Sequence, residues 1–114
     1  MEESVIDKAV YAELQETAGA EFVDDLVDTF LEEAIGMLAE LRRARSENHA
    51  DRFRRAAHSL KTNGNTFGAM RLGTLARDLE LKGLDADPAR DAAAIAALEV
   101  VDTIYRKSSY DHRA

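Results

Sequence analysis

Apolar residues recur every three or four positions along most of the chain, a spacing that predicts α-helices rather than strands. In the first such segment, residues 6–17, Val10 or Tyr11 stands one turn before Leu14. Gly19 is expected to end this helix, because glycine readily adopts the conformation that closes a helix. The segment is short, so we expect it to lie across the end of a larger helical bundle.

The second segment has the widest apolar face of the chain. One row of apolar positions consists of Phe22, Leu26, Phe30, Ala34, Met37 and Leu41, and the row beside it consists of Val23, Val27, Leu31, Ile35 and Leu38. So wide a face predicts a helix that contacts more than one neighbour. Acidic residues lie towards the start of this segment, and Arg42, Arg43 and Arg45 lie at its end. This is the order that the helix dipole favours.

A third helix is expected after Asn48, which suits the N-cap position and is followed by Asp51 three residues later. Gly68 is expected to close the helix. At about 100° per residue, its apolar and small positions fall within a band of about 80°. These positions are Phe53, Ala57, Leu60, Gly64 and Phe67. The band is the predicted buried face of the helix.

The fourth predicted helix covers residues 69–81 and is expected to end at Lys82 and Gly83. Its inward positions are Leu72, Leu75, Ala76 and Leu79. Asp87 followed by Pro88 predicts the start of the last helix, because proline suits the first helical position. The inward positions of the last helix are Ala92, Ile95, Leu98, Val101 or Asp102, and Tyr105.

These segments together predict an all-α fold. Four substantial amphipathic helices joined by short links favour an antiparallel up-and-down four-helix bundle, with an additional short N-terminal helix. A chain of 114 residues is large enough for one hydrophobic core, so we expect a single domain over residues 1–114. Residues 108–114 are polar, and we expect them to fray.

One histidine lies opposite the apolar band of the third predicted helix. His58 is about 140° from Phe53 on the helical wheel, so it points at solvent. Its neighbours on that side are Arg54, Lys61, Thr62 and Asn65. No Asp or Glu occurs from Arg52 to Arg77, although the chain has 22 acidic residues. An exposed imidazole in a cationic, carboxylate-free surrounding suits carrying an anion better than general-base catalysis, which usually needs a carboxylate to orient the ring.

A pattern of residues on and after the third helix is similar to that of a known family. It consists of His58, Leu60, Lys61, Gly68, Ala69 and Leu72, followed by residues 75–80. This pattern resembles the histidine phosphotransfer (HPt) domain of two-component phosphorelay signalling. Thr62 is a departure, because the family most often has glycine just after the lysine, where a small residue lets a partner's surface approach the histidine.

The resemblance implies a phosphocarrier in which His58 accepts a phosphoryl group from the aspartate of a receiver domain and passes it to another receiver. Lys61 would offset the charge of the phosphoryl group. Arg54 is a further candidate for binding the phosphoryl group, and only its spacing from His58 on the helix supports it. Asn65 either donates a hydrogen bond towards the phosphate or is simply polar near a helix end. The remaining candidate binding positions are Thr62 and Gly68, and Gly68 serves equally well as a packing residue.

The partners and cofactors also follow from the resemblance. It implies response-regulator receiver domains as partners, and a hybrid histidine kinase as a further one. The receiver would bring Mg²⁺, so we expect no cofactor in this chain. Glycine-rich phosphate loops and kinase-like nucleotide motifs are absent from the sequence, so we do not expect an enzyme with autokinase activity.

Two other functions fit the same residues. A helical adaptor or decoy would bind a receiver domain or a kinase without carrying phosphate, and its binding would be indifferent to the chemistry of His58. A structural subunit would instead associate with itself. An exposed histidine without a role is the simplest interpretation of His58 alone, and the surrounding motif argues against it.

Composition and charge argue against several other classes of protein function. The net charge of −7 is unevenly spread, since residues 1–40 carry −11, residues 41–61 carry +5 and the rest carry −1. The short basic stretch has no interleaved aromatic residues, so nucleic acid is not an expected partner. The three histidines lack metal-ligand spacing, and the absence of cysteine excludes disulfides and thiolate metal sites. With no signal peptide and no long apolar run, we expect a cytoplasmic monomer that does not bind membranes.

Overall fold

Helices account for nearly all of residues 5–111, the part of the chain that this computed structural model describes. Their bounds are Lys8–Ala18 for α1, Ala20–Ser46 for α2, Ala50–Thr66 for α3, Met70–Lys82 for α4 and Pro88–Asp111 for α5. Strands do not occur within residues 5–111. The predicted all-α class is therefore confirmed.

Helices α2 to α5 form a closed ring of contacts. Helix α2 packs against α3, α3 against α4, α4 against α5, and α5 against α2, while α1 packs against α2. Short links join each helix of the ring to the next. This arrangement is the one expected of an antiparallel up-and-down four-helix bundle with one short additional helix.

Three aromatic rings connect α2 and α5 with the end of α3. The rings of Phe30 and Phe67 stack with their centroids 5.1 Å apart, and the ring of Tyr105 meets that of Phe30 edge-on at 5.6 Å. The Tyr105 hydroxyl donates a hydrogen bond to the backbone oxygen of Phe67 at 2.7 Å. Aromatic pairs of this kind stabilise a core beyond the area that they bury. The cluster therefore holds the end of α3 against the far side of the bundle.

The predicted apolar face of α2 is wider than the face that is buried. Val27, Phe30 and Ala34 are buried, whereas Phe22 and Ile35 are 57% and 53% exposed. Apolar spacing identifies one side of a helix, but it does not indicate how much of that side the neighbouring helices cover. Phe22 and Ile35 belong to the two predicted apolar rows but remain exposed.

A buried ion pair closes one end of the bundle. Arg45, near the end of α2, donates from Nη1 to Oδ2 of Asp91 at 3.0 Å and to the backbone oxygen of Asp85 at 2.7 Å. Asp91 also accepts a hydrogen bond from the backbone N–H of Asp85 at 2.9 Å. In the first turn of α5, Asp91 is therefore the inward residue and Ala92 is exposed, contrary to the predicted pattern.

Several predicted helix boundaries are confirmed. Gly19 follows α1, and Gly83 follows α4. Pro88 is the first residue of α5, and the Asp87 side chain accepts a hydrogen bond from the backbone N–H of Ala89 at 3.0 Å. This contact satisfies one of the backbone donors that a helix start leaves unpaired.

The predicted start of α3 is wrong by one residue. His49 is the N-cap, because its Nδ1 accepts a hydrogen bond from the backbone N–H of Arg52 at 3.2 Å. Asn48 has a φ of 57° instead, a left-handed conformation that asparagine tolerates better than most residues. Asn48 therefore turns the chain between α2 and α3 rather than capping the helix.

The predicted fraying of the C-terminal residues is wrong as far as Asp111, where α5 ends. Ser109 is fully buried, and its hydroxyl donates to the backbone oxygen of Arg106 at 2.8 Å. A polar residue of this kind satisfies its hydrogen bond within its own helix, so polarity alone did not indicate a helix end. The last part of the segment, residues 112–114, lies outside the described residues.

Candidate functional site

His58 stands on the exposed side of α3, as its spacing from the apolar band predicts. Its side chain is 58% exposed. Beneath it, Phe53, Ala57 and Leu60 are buried. Burial of this band fixes the rotation of α3 about its own axis, and the fixed rotation presents the imidazole outwards.

A carboxylate from the neighbouring helix contacts the imidazole. Nδ1 of His58 lies 2.5 Å from Oε2 of Glu80 in α4. The other carboxylate oxygen, Oε1, accepts a hydrogen bond from Nζ of Lys61 at 2.7 Å. Glu80 thus bridges the two α3 side chains that the HPt-like pattern singles out.

The two contacts keep Glu80 ionised. The hydrogen bond from Lys61 is the largest cause that lowers the pKa of the Glu80 carboxyl, and the contact with His58 lowers that pKa further. Partial burial opposes these effects without reversing them. At neutral pH, Glu80 is therefore a carboxylate held between a cation and an imidazole.

An ionised carboxylate can only accept hydrogen bonds, so the neutral imidazole of His58 donates from Nδ1. The lone pair of the ring then lies on Nε2, since the hydrogen bond at one ring nitrogen fixes the tautomer at the other. Nε2 is the nitrogen with which this histidine can act as a nucleophile.

The expectation of a carboxylate-free surrounding for His58 is wrong. No acidic residue occurs from Arg52 to Arg77, but Glu80 follows only three residues after that stretch. Helix α4 packs along α3, so a residue 22 positions later in the chain reaches the histidine. The sequence signal for Glu80 is its place in the motif segment of residues 75–80.

Two glycines allow α3 and α4 to approach closely enough for this contact. A methyl group added at Gly64 would lie 3.2 Å from the backbone nitrogen of Gly73 and 3.2 Å from the backbone oxygen of Ala69. Both distances are shorter than ordinary van der Waals contacts. The close approach of the two backbones positions Glu80 beside His58.

Arg54 and Asn65 also lie along the contact between α3 and α4. The guanidinium of Arg54 covers Gly83, where an added methyl group would lie 2.8 Å from Nη2. The Asn65 side chain covers Gly73 in the same way, since an added methyl group there would overlap it. His58 and Lys61 therefore have Arg54 on one side along α3 and Asn65 on the other.

Thr62 and Gly68 occupy different environments. Thr62 is exposed one helical turn after His58, and its backbone oxygen accepts a hydrogen bond from the Thr66 hydroxyl at 3.0 Å. Gly68 is buried beyond the end of α3, with a φ of 72°, and its backbone oxygen accepts from the N–H of Asp7 at 2.7 Å. An added methyl group there would lie 2.9 Å from the backbone oxygen of Asp7. The structure therefore brings Thr62 to the histidine surface and places Gly68 in a packing contact.

On its other side, α3 forms a shallow groove with α2. Arg55 and Ser59, which lie three residues before and one residue after His58, line this groove together with Met37 and Glu40 of α2. Glu40 accepts a hydrogen bond from Arg52 at 2.5 Å, and this bond is the largest cause that lowers the pKa of the Glu40 carboxyl. Arg52 is therefore engaged with α2, whereas Arg55 lies in the groove beside the histidine.

A sequence model of the Hpt domain matches residues 25–104, which include His58, Lys61 and Glu80. The chain belongs to the Hpt domain family. The crystal structure of histidine-containing phosphotransfer protein B (HptB) from Pseudomonas aeruginosa PAO1 is similar to this Hpt domain, with a TM-score of 0.84 and 27% sequence identity. The similarity covers 98% of this chain and 96% of that chain. A comparison with curated proteins finds no significant match.

Family membership assigns this Hpt domain a general role in phosphorelay histidine phosphotransfer. Hpt domains in phosphorelays interact with receiver domains and kinases, and they are generally carriers rather than enzymes. Within residues 5–111, no helix is long and apolar enough to cross a membrane. The same residues contain no group of three or more histidine and carboxylate side chains that could hold a metal ion.

Proposed function

We propose that this protein is a phosphocarrier that accepts a phosphoryl group on Nε2 of His58 from a receiver-domain aspartate and passes it to another receiver. The observation that supports this proposal best is the bridge from Glu80 to both His58 and Lys61. It combines an exposed nucleophile, a fixed tautomer and a neighbouring cation. Phosphoryl transfer depends mainly on such positioning and on charge stabilisation.

In the accepting step, the lone pair on Nε2 of His58 attacks the phosphorus of the receiver's aspartyl phosphate. The N–P bond forms as the P–O bond breaks, and the aspartate leaves as a carboxylate. The hydrogen on Nδ1 stays in place, so the ring becomes cationic. Glu80 stabilises that cation through its hydrogen bond. The reverse attack by another receiver's aspartate restores the neutral ring.

Lys61 has two partners in this scheme. In the resting protein its ammonium group binds Glu80, and when the phosphoryl group is present it offsets part of that negative charge as well. The receiver supplies Mg²⁺ and its acidic pocket, and this chain supplies no cofactor. Replacing Lys61 by alanine should slow the transfer without abolishing it, because the nucleophile and the receiver's metal remain.

Side chains of α3 and α4 other than His58 would also meet the receiver. Thr62 lies one turn away on the same face of α3. On α4, Leu81 follows Glu80 directly and is 74% exposed. On the α2 side, Arg55 and Ser59 line the adjoining groove. An exposed apolar residue and a cation on these two helices suit a receiver surface that surrounds an acidic pocket.

The test is label transfer from phosphorylated receiver domains to the wild-type protein and to a His58→Gln variant. We expect rapid, acid-labile labelling of the wild type and none of the variant, with the helical circular dichroism spectrum unchanged. Labelling of the variant would refute His58 as the acceptor. If receivers bind both proteins equally and label neither, the adaptor hypothesis replaces the carrier.

A further inference from the structure

Helices α2 and α5 form a groove that does not involve His58. It consists of two adjoining hollows that share Ile35 and Arg106 as lining residues. All residues that line these hollows belong to α2 or α5. His58 and Glu80 belong to α3 and α4, so the α2/α5 groove is separate from the proposed phosphotransfer site.

Both helices contribute apolar surface to the α2/α5 groove. Ile35 of α2 is 53% exposed, and Tyr110 of α5 is 51% exposed. Leu31 and Leu38 line the same hollows and are buried, so the apolar surface continues inwards from the two exposed side chains. The groove therefore has apolar side chains both at its mouth and along its floor.

Carboxylates outnumber cations along the groove. The acidic lining residues are Asp28, Glu32, Glu99 and Asp102, and the basic ones are Arg42 and Arg106. Arg42 is already paired with Glu99. The groove lining therefore has two more carboxylates than cations next to its apolar surface.

Asp102 is the most deeply placed of these carboxylates. Its side chain is 6% exposed, and Nη2 of Arg106 lies 3.9 Å from Oδ2. The other oxygen, Oδ1, has no hydrogen-bond partner among residues 5–111. A buried carboxylate that is so weakly paired is costly, and a further cation at the groove would reduce that cost.

We propose that the α2/α5 groove binds a basic amphipathic helix of a partner protein. The apolar face of such a helix would cover Ile35 and Tyr110, and its lysines or arginines would pair with the exposed Glu32. Charge complementarity identifies this occupant, since a protein of net charge −7 repels both a second copy of itself and nucleic acid. The groove would let this Hpt domain bind a second protein while His58 remains open to a receiver.

The probe is a fluorescein-labelled peptide of leucine and lysine whose leucines repeat at helical spacing, titrated with the protein and followed by fluorescence anisotropy. The control peptide has the same composition in an order that gives no apolar face. Glu32→Lys should weaken binding by about tenfold, because it reverses a charge in the groove. Glu33→Lys makes the same change one residue further along α2, outside the groove lining, and should weaken binding by less than about twofold.

A second pair of variants tests the apolar contact. Ile35→Ser should weaken peptide binding, whereas Phe22→Ser, which removes a similarly exposed side chain elsewhere on α2, should not. Equal losses within either pair would refute the proposal. Equal affinity for the control peptide would also refute it and would indicate general attraction of cations to an acidic protein. His58→Gln should bind the peptide like the wild type, so the groove can be tested even if the carrier function fails.

Discussion

Glu80 contacts His58 from the neighbouring helix, with Oε2 of the carboxylate 2.5 Å from Nδ1 of the imidazole. The two residues are 22 positions apart, and the stretch around the histidine is otherwise free of acidic residues. This single carboxylate fixes the orientation of the His58 ring, and in the proposed transfer it would orient the nucleophile. It also explains how Lys61 is held nearby, because the same carboxylate binds its ammonium group.

Replacing Glu80 by glutamine should slow phosphoryl transfer to His58 by about tenfold, which corresponds to about 1.4 kcal/mol of lost transition-state stabilisation. Glutamine cannot neutralise the imidazolium that forms during transfer, and it leaves the tautomer undetermined. Rapid-quench kinetics with a phosphorylated receiver measures the rate. Nitrogen-15 NMR of the imidazole should show the Nδ1–H tautomer in the wild type and a mixture in the variant.

Asp78→Asn is the matched control for this prediction. Asp78 lies two residues before Glu80 on α4, is 61% exposed at its side chain and pairs only with the adjacent Arg77 among the described residues. Its replacement should leave both the rate and the tautomer unchanged. A similar loss in both variants would show that the overall charge of α4, and not the contact with His58, controls the transfer.

Gly64→Ala should destabilise the protein by about 2 kcal/mol, because the added methyl group meets the backbone of Gly73 and Ala69. Separation of α3 from α4 should also weaken the Glu80 contact and slow transfer. Gly36→Ala is the control, since a methyl group there meets nothing within 4 Å. That change should stabilise α2 by up to about 1 kcal/mol, and chemical denaturation measures both effects. A stabilised Gly64→Ala variant would contradict the close packing of the two helices.

Arg45→Ala should destabilise the protein by about 3 kcal/mol, because it leaves Asp91 as an unpaired buried charge. Arg42→Ala removes an exposed arginine from the same helix and breaks only the surface pair with Glu99, so its cost should stay below about 1 kcal/mol. Urea denaturation of the two variants makes the comparison. If the two variants lost the same stability, burial of Asp91 would not be what makes its ion pair with Arg45 strong.

Asp102→Asn should be more stable than the wild type at pH 7. Burial raises the pKa of the Asp102 carboxyl, and the charge of Arg106 only partly opposes this rise. The unfolded chain has the ordinary aspartate pKa of 3.8, and the folded-state pKa is higher. Ionisation of Asp102 therefore lowers the stability of the folded protein as the pH rises from 3.8 through the folded-state pKa. The two proteins should therefore have the same melting temperature at pH 3. At pH 7, the variant should melt at a higher temperature than the wild type. A more stable wild type at pH 7 would show that pairing with Arg106 outweighs burial.

Much of the fold follows from local features of the sequence. Apolar periodicity, helix-closing glycines and the Asp87–Pro88 start signal depend on neighbouring residues, and these features predicted five helices in the correct order. The N-cap of α3 was harder to predict, because both Asn48 and His49 can accept a backbone hydrogen bond. The backbone conformation of Asn48, which the sequence does not specify, decides between them.

The site was predictable only in part for a different physical reason. The exposure of His58 is a property of one helix, and its spacing from the apolar band was sufficient to predict it. The contact with Glu80 depends on the register between α3 and α4, and that register is set by the Gly64 and Gly73 contact across the two helices. The burial of Asp91 likewise depends on Arg45, a partner 46 residues away. Pairings between helices of this kind leave no periodic signal in a single sequence.

His58, Lys61 and Glu80 all belong to one helical hairpin, α3 and α4, joined by the three residues Phe67, Gly68 and Ala69. Bringing the histidine and the carboxylate together therefore closes only a short stretch of chain, and the entropy lost in closing a loop rises with its length. Contacts that are local in sequence also form quickly during folding. The three side chains of the proposed phosphotransfer site thus lie in one local tertiary unit, and α5 can change its outer surface without moving them.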